Sequence, residues 1–192
     1  MLRLVQDARA GDAGAFRRLV EAYMRPIYAL GYRLLGNHDD ADDLAQETFV
    51  RAWQALGRYD ERYTVYTWLR TIVTRLALNE IDKRRRRRTE GGELFDAAAE
   101  AHMDCAPGPE AEFEGLETRS RIEAALASLP EEFRVPLVLR TYEELSYDEI
   151  AVQLGIPAGT VMSRIHRARG MLRQRLESGG APVGRRERKA SG

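Results

Sequence analysis

Five polar side chains, Ser163, His166, Arg167, Arg169 and Arg173, recur at helical spacing, opposite a second set made of Val161, Ile165, Ala168 and Leu172. Guanidinium groups carry a fixed positive charge and several N–H donors, while hydroxyl and imidazole groups donate or accept. Such a face binds phosphates and base edges. The major groove of a DNA duplex is wide enough to admit a helix that presents it.

The elements that must hold this face lie in LSYDEIAVQLGIPAGTVMSRIHRARGMLRQR, residues 145–175. Ser146 and Glu149 have the spacing of a capping box, and Ile150, Ala151 and Leu154 form the apolar stripe of the short helix that follows. Gly155 supplies a tight turn, and Ile156 and Pro157 lead into the basic helix. The stretch reads as a helix-turn-helix. A solvated helical hairpin with an ordinary charged face is the weaker reading, because cap, turn and one-sided basic face occur together.

Composition excludes several function classes. The chain has 192 residues and 44% hydrophobic content, with no apolar run long enough to span a bilayer. The N-terminal MLRLVQDARAGDAGAF lacks the apolar core and cleavage site of a secretory signal, so the expected location is the cytoplasm, without membrane insertion. Cys105 is the only cysteine, which excludes an intramolecular disulfide and a thiolate zinc cluster. His166 has no second metal-ligating residue at ligand spacing, so neither metal nor cofactor is expected. With no P-loop, nucleophile elbow or dinucleotide fingerprint, the chain does not read as an enzyme.

The formal net charge is zero, but the charges are segregated. Residues 1–88 carry 17 Lys+Arg against 12 Asp+Glu, residues 89–118 carry 0 against 9, and residues 119–192 carry 13 against 9. Two basic blocks flank an acidic connector, so each block is equipped to meet phosphate by itself.

The first block reads as all-helical. Asp12 caps a helix whose stripe is Phe16, Leu19, Val20, Tyr23, Ile27, Leu30 and Leu34, with Pro26 expected to bend or interrupt it. Gly36 ends that helix, and Asn37 to Asp40 cap the next, which runs to about Leu56 and buries Ala41, Leu44, Ala45, Thr48, Phe49 and Ala52. After the loop GRYDERY, Thr64 caps a helix with a core face of Val65, Trp68, Leu69, Ile72, Val73 and Leu76. It ends in KRRRRR, residues 83–88, which together with Arg70 and Arg75 reads as a phosphate-binding edge. Residues 89–118 read as a flexible acidic linker. In the second block Ile122, Leu126 and Leu129 form one stripe, Pro130 fits the first turn of the next helix, and Phe133, Leu137 and Val138 continue the core. The tail, residues 179–192, is expected to be disordered. The fold class is therefore all-α, with two small helical domains, 1–88 and 119–178, joined by the linker.

Two stretches resemble one family, the extracytoplasmic-function (ECF, group IV) sigma factors of bacterial RNA polymerase, in the sigma-70 family. The first is DDADDLAQETFVRAW followed by TWLRTIVTRLALNEIDKRRRR, similar to region 2, and the second is LPEEFRVPLVLR followed by LSYDEIAVQLGIPAGTVMSRIHRAR, similar to region 4. Both stand in the family's order. The resemblance implies a transcription initiation factor with core RNA polymerase and promoter DNA as partners, its contacts being the largest-subunit clamp helices and the flap. Many members also have an anti-sigma factor.

The resemblance further assigns residues to roles. Core-polymerase binding falls to Asp42, Asp43, Gln46, Glu47 and Arg51, with Asp39 and Asp40 as caps. Recognition of the −10 element and its single strand falls to Arg58, Tyr59, Arg62, Tyr63, Arg70, Arg75, Lys83 and Arg84, with Trp68 in the core. Recognition of the −35 element falls to Arg140, Ser163, His166 and Arg167. Met162 stands where relatives often carry a basic residue, and Glu144 where a glycine is common. In relatives the connector passes through the polymerase active-site cleft and RNA exit path. The rival readings are a helix-turn-helix regulator that binds an operator without polymerase, and a polymerase-associated adaptor.

Overall fold

The computed structural model describes residues 1–91 and 110–178. Among them all the regular secondary structure is helical, as the periodicities predict, with eight α-helices and one short 3-10 turn. The helices are α1 (Leu2–Arg9), α2 (Ala13–Leu35), α3 (His38–Ala55), α4 (Val65–Gly91), α5 (Glu110–Ala127), α6 (Glu131–Tyr142), α7 (Tyr147–Leu154) and α8 (Ala158–Ser178); the 3-10 turn is Leu56–Arg58. No helix of the described residues is long and apolar enough to cross a membrane.

The predicted signals act locally as expected. Asp12 Oδ1 accepts from the backbone N–H groups of Gly14 and Ala15 at 2.8 and 3.1 Å and starts α2. Asn37 Oδ1 accepts from the Asp40 N–H at 2.9 Å and starts α3, whose six expected core residues are all buried. Pro26 does not interrupt its helix, because α2 runs through it without a break. The packing of α2 against α1, α3 and α4 supplies tertiary stabilisation for the turn weakened by the missing N–H donor.

Helix α1 was not expected. It seats Val5 and Ala8 in the core, and Arg9 Nε donates to the Leu56 carbonyl at 2.9 Å. The outer parts of the expected linker are helical too: α4 continues to Gly91 and α5 begins at Glu110. Residues 92–109 and the expected tail, residues 179–192, lie outside the described residues.

The two helical halves pack on one another, with α2 against α5 and α6. Among the described residues, three arginines make polar contacts across the boundary. Arg134 of α6 donates to the Leu34 and Leu35 carbonyls at the end of α2, with Nη2 to Leu35 O at 2.8 Å. Arg33 pairs with Glu123 at 2.5 Å and lies over the Tyr142 ring at 4.4 Å. Arg70 of α4 pairs with Glu143 at 3.2 Å. One continuous apolar core therefore extends from Val5 to Ala168.

Candidate nucleic-acid interface

The helix-turn-helix forms as its residues predict. Ser146 Oγ accepts from the Glu149 N–H at 3.3 Å while the Ser146 N–H donates to Glu149 Oε2 at 2.8 Å, which closes the capping box. The Ser146 hydroxyl also donates to Glu149 Oε2 at 2.6 Å, and this bond, together with that from the Ser146 N–H, holds the Glu149 carboxyl below the usual carboxylate range. Gly155 has φ +61 and turns the chain toward α8. Val161, Ile165 and Ala168 are buried, and Arg164 pairs with Glu132 of α6 at 3.3 Å, so α8 is held on α6.

This leaves Ser163, His166, Arg167, Arg169 and Arg173 exposed along α8. Ser163 Oγ donates to the Thr160 carbonyl at 3.0 Å. Arg140, also exposed, donates to the Leu145 carbonyl at 2.9 Å and lies 5.4 Å from the centre of the Tyr147 ring. Its guanidinium is thus oriented before any ligand arrives. All four residues expected at the −35 element lie on the surface of this unit, and Met162 stands among them, 56% exposed.

In the N-terminal half the expected core-docking residues form one outward row on α3. Asp42, Asp43, Gln46 and Arg51 are exposed and Glu47 is half-buried, with Glu47 paired to Arg51 at 2.6 Å along the helix. Beside the row, Val50 and Trp53 are 50% and 44% exposed, and they line a shallow apolar groove of about 370 Å³ with Ala13, Phe16, Phe49 and Gln54. Sequence reasoning placed Val50 outside but missed the groove, which forms only where α2 meets α3. Asp39 and Asp40 do occupy the first helical turn. Asp40 is more than a cap, because its carboxylate also pairs with Arg84 at 2.5 Å.

The expected −10 set divides. Arg58, Arg62, Tyr63, Arg75 and Lys83 are exposed, although Arg62 already pairs with Asp60 at 2.6 Å and Lys83 lies 3.5 Å from Glu80. Tyr59 corrects the sequence reading. It is 4% exposed, donates its hydroxyl to the Tyr63 carbonyl at 2.6 Å and packs its ring 5.0 Å from Trp68. Burial pushes its phenol up from the usual value. A ring so enclosed anchors the loop, whereas Tyr63 is 57% exposed. Trp68 packs against the core as expected.

Arg70 and Arg84 also depart from the expected free cations. Arg70 is spent on Glu143 and on the Tyr142 carbonyl at 3.3 Å. Arg84 is held between Asp40 and Glu80; burial would lower its pKa, but these carboxylates outweigh burial and raise it. Sequence reasoning missed Arg33, Arg134, Glu123 and Glu143, the residues that join the halves. One signal was available: Arg134 stands within the apolar run Phe133, Val135, Leu137 and Val138.

Comparison with known proteins agrees with the geometry. The family model described as Sigma-70 region 2 matches residues 19–87, and that described as Sigma-70, region 4 matches residues 119–172. The ECF RNA polymerase sigma factor SigW of Bacillus subtilis is 36% identical over 182 residues, spanning 90% of this chain and 94% of its own. The ECF RNA polymerase sigma factor SigE of Mycolicibacterium smegmatis is 42% identical over 175 residues, spanning 90% of this chain and 66% of its own. Among solved structures, the sigma factor RpoE from Bartonella quintana, in complex with the anti-sigma factor NepR, shares the fold with a TM-score of 0.57 and 24% identity, covering 84% of this chain and 96% of that one.

Proposed function

The chain belongs to the ECF group of the sigma-70 family, a transcription initiation sigma factor, and on that premise we propose how its surfaces divide the work. The observation that carries the division is the separation of charge on formed helices. The acidic and amide row of α3 faces outward in one half, and the basic row of α8 faces outward in the other.

Residues 1–88 act as the polymerase-binding and −10 domain, and residues 119–178 as the −35 domain. Asp42, Asp43, Gln46, Glu47 and Arg51 dock on the clamp helices of the largest polymerase subunit. Arg58, Arg62, Arg75 and Lys83 track the backbone near the −10 element, with Tyr63 as the stacking platform for an unstacked base. Arg140, Ser163, His166 and Arg167 engage the −35 element in the major groove. Arg70 and Arg84 join the phosphate contacts once their carboxylate partners release them. The connector follows the route it takes in relatives. The protein works in the cytoplasm, stoichiometrically rather than as an enzyme. An anti-sigma factor that stabilises the packed halves would keep it inactive.

The rival reading, an operator-binding regulator, accounts for the helix-turn-helix but leaves the match over residues 19–87 without a purpose. Run-off transcription with purified core polymerase and a panel of promoter templates tests the proposal. The expected result is a promoter-specific transcript that appears only when the protein is added. Identical transcripts with and without it on every template would overturn the reading.

A further inference from the structure

Among the described residues of the C-terminal half, two large apolar side chains stand exposed: Val152 on α7, 84%, and Met162 on α8, 56%. Met162 lies in the N-terminal third of α8, beside Ser163 and one turn before His166 and Arg167. Gly159, one turn earlier, has open space around it, with nothing within 4 Å of an added Cβ. That end of α8 is therefore low in relief, and Met162 is the apolar group standing above it. Its exposed neighbours on the same helix, Ser163, His166 and Arg167, hydrogen-bond or carry charge.

A thioether has no hydrogen to donate and accepts only weakly, so Met162 cannot hold a phosphate or read a purine edge by hydrogen bonding. The first turns of a recognition helix are the part that reaches base edges. Among those edges in the major groove, the distinctive apolar feature is the 5-methyl group of thymine. An unbranched, polarisable side chain adapts well to such a contact. We infer that Met162 is a specificity-determining residue, packing its thioether on the 5-methyl group of one thymine in the −35 element. This rests on the assignment of α8 to −35 recognition made above.

The test uses the full chain assembled with core polymerase and a duplex library randomised across the upstream promoter window. Selection is expected to enrich a thymine at one position. Replacing that thymine by uracil removes only the methyl group and is expected to weaken holoenzyme binding about fourfold, the equivalent of one buried methyl. Met162→Ala is expected to lose both the enrichment and the uracil effect. Met162→Arg is expected to shift the preferred base toward guanine, whose O6 and N7 accept a guanidinium. The inference is overturned if uracil at every selected thymine is without effect, or if Met162→Ala selects the same thymine and keeps the same loss with uracil. Because the uracil duplex leaves the protein unchanged, folding of a variant does not enter that arm. If holoenzyme enriches no sequence over core polymerase alone, the sigma assignment fails first and this contact with it.

Discussion

Arg134 of α6 fits its guanidinium against Gly36, where α2 ends, and a Cβ at Gly36 would run into it. Gly36 has φ +82, so the same glycine both turns the chain and leaves the space. Arg134 is 6% exposed and donates to four carbonyls: Leu34 and Leu35 across the interface, and Ala127 and Leu129 at 2.9 and 3.0 Å in its own half. Burial lowers its pKa, yet the guanidinium meets the negative end of the α2 dipole.

Removing either member of this pair is expected to weaken the packed arrangement. Arg134→Met keeps the aliphatic stem but leaves buried carbonyls unpaired, for a loss of about 2–3 kcal/mol. Gly36→Ala adds left-handed strain of about 1–2 kcal/mol to the steric conflict. Urea unfolding monitored by circular dichroism measures both losses. Small-angle scattering of Arg134→Met should report a larger radius of gyration if the halves separate.

Glu144 holds φ +57, the only positive value at a non-glycine position among the described residues. Glu144→Gly should relieve this strain at the turn before α7, partly offset by greater chain entropy when unfolded. The expected net gain is up to about 1 kcal/mol, read as a higher midpoint in thermal unfolding.

Two carboxyls are shifted in opposite directions, so their pH effects have opposite signs. Glu149 is lowered by its hydrogen bonds with Ser146, so its stabilisation is present above the usual Glu pKa and is lost as pH falls through the folded value. Glu149→Gln should therefore flatten the acid limb of a stability profile, and Ser146→Ala should cost about 1 kcal/mol at neutral pH. Glu143 is raised by burial, with Arg70 opposing, so its contribution is full below the usual Glu pKa and is lost as pH rises through the folded value. Glu143→Gln should equal or exceed the native chain in stability at neutral pH and lose any advantage at acid pH. Thermal melts across pH 3–8, roughly the range in which such groups titrate, check all three.

The two functional faces should be separable. Asp43→Asn with Glu47→Gln is expected to weaken core-polymerase binding about tenfold or more, ~1.4 kcal/mol, by pull-down or anisotropy titration. Arg140→Ala or Arg167→Ala should leave core binding intact and lower the salt dependence of promoter binding by about one unit per lost phosphate contact. Unchanged core affinity in the first variant would move the docking surface elsewhere on the chain.

The helix-turn-helix, its capping box and the buried stripe of α3 were readable from sequence because each depends on residues within a turn or two of one another. Ser146 and Glu149 are three apart, and their bonds need no distant partner. The exposure of Ser163, His166 and Arg167 followed from the same local rule, since burial of Val161, Ile165 and Ala168 turns the opposite side of α8 outward. Tyr59 was misplaced for the converse reason. An aromatic in a loop reads as exposed until α4 presents Trp68 against it and α1 sends Arg9 over its ring at 5.7 Å.

By itself, then, the order of residues determined most of the helices, their caps, the family and the faces those helices leave outside, because periodicity and capping act through the i to i+4 neighbourhood, whereas α1 and the start of α5 escaped it. Only the tertiary structure decided which of the expected DNA-binding cations are free. Arg70 meets Glu143, Arg84 meets Asp40, and Arg134 finds the Leu34 carbonyl 100 residues away. Such pairings arise when packed helices bring groups distant in sequence together, and where the site is buried, as at Arg134, leaving the polar groups unpaired would cost more than holding them.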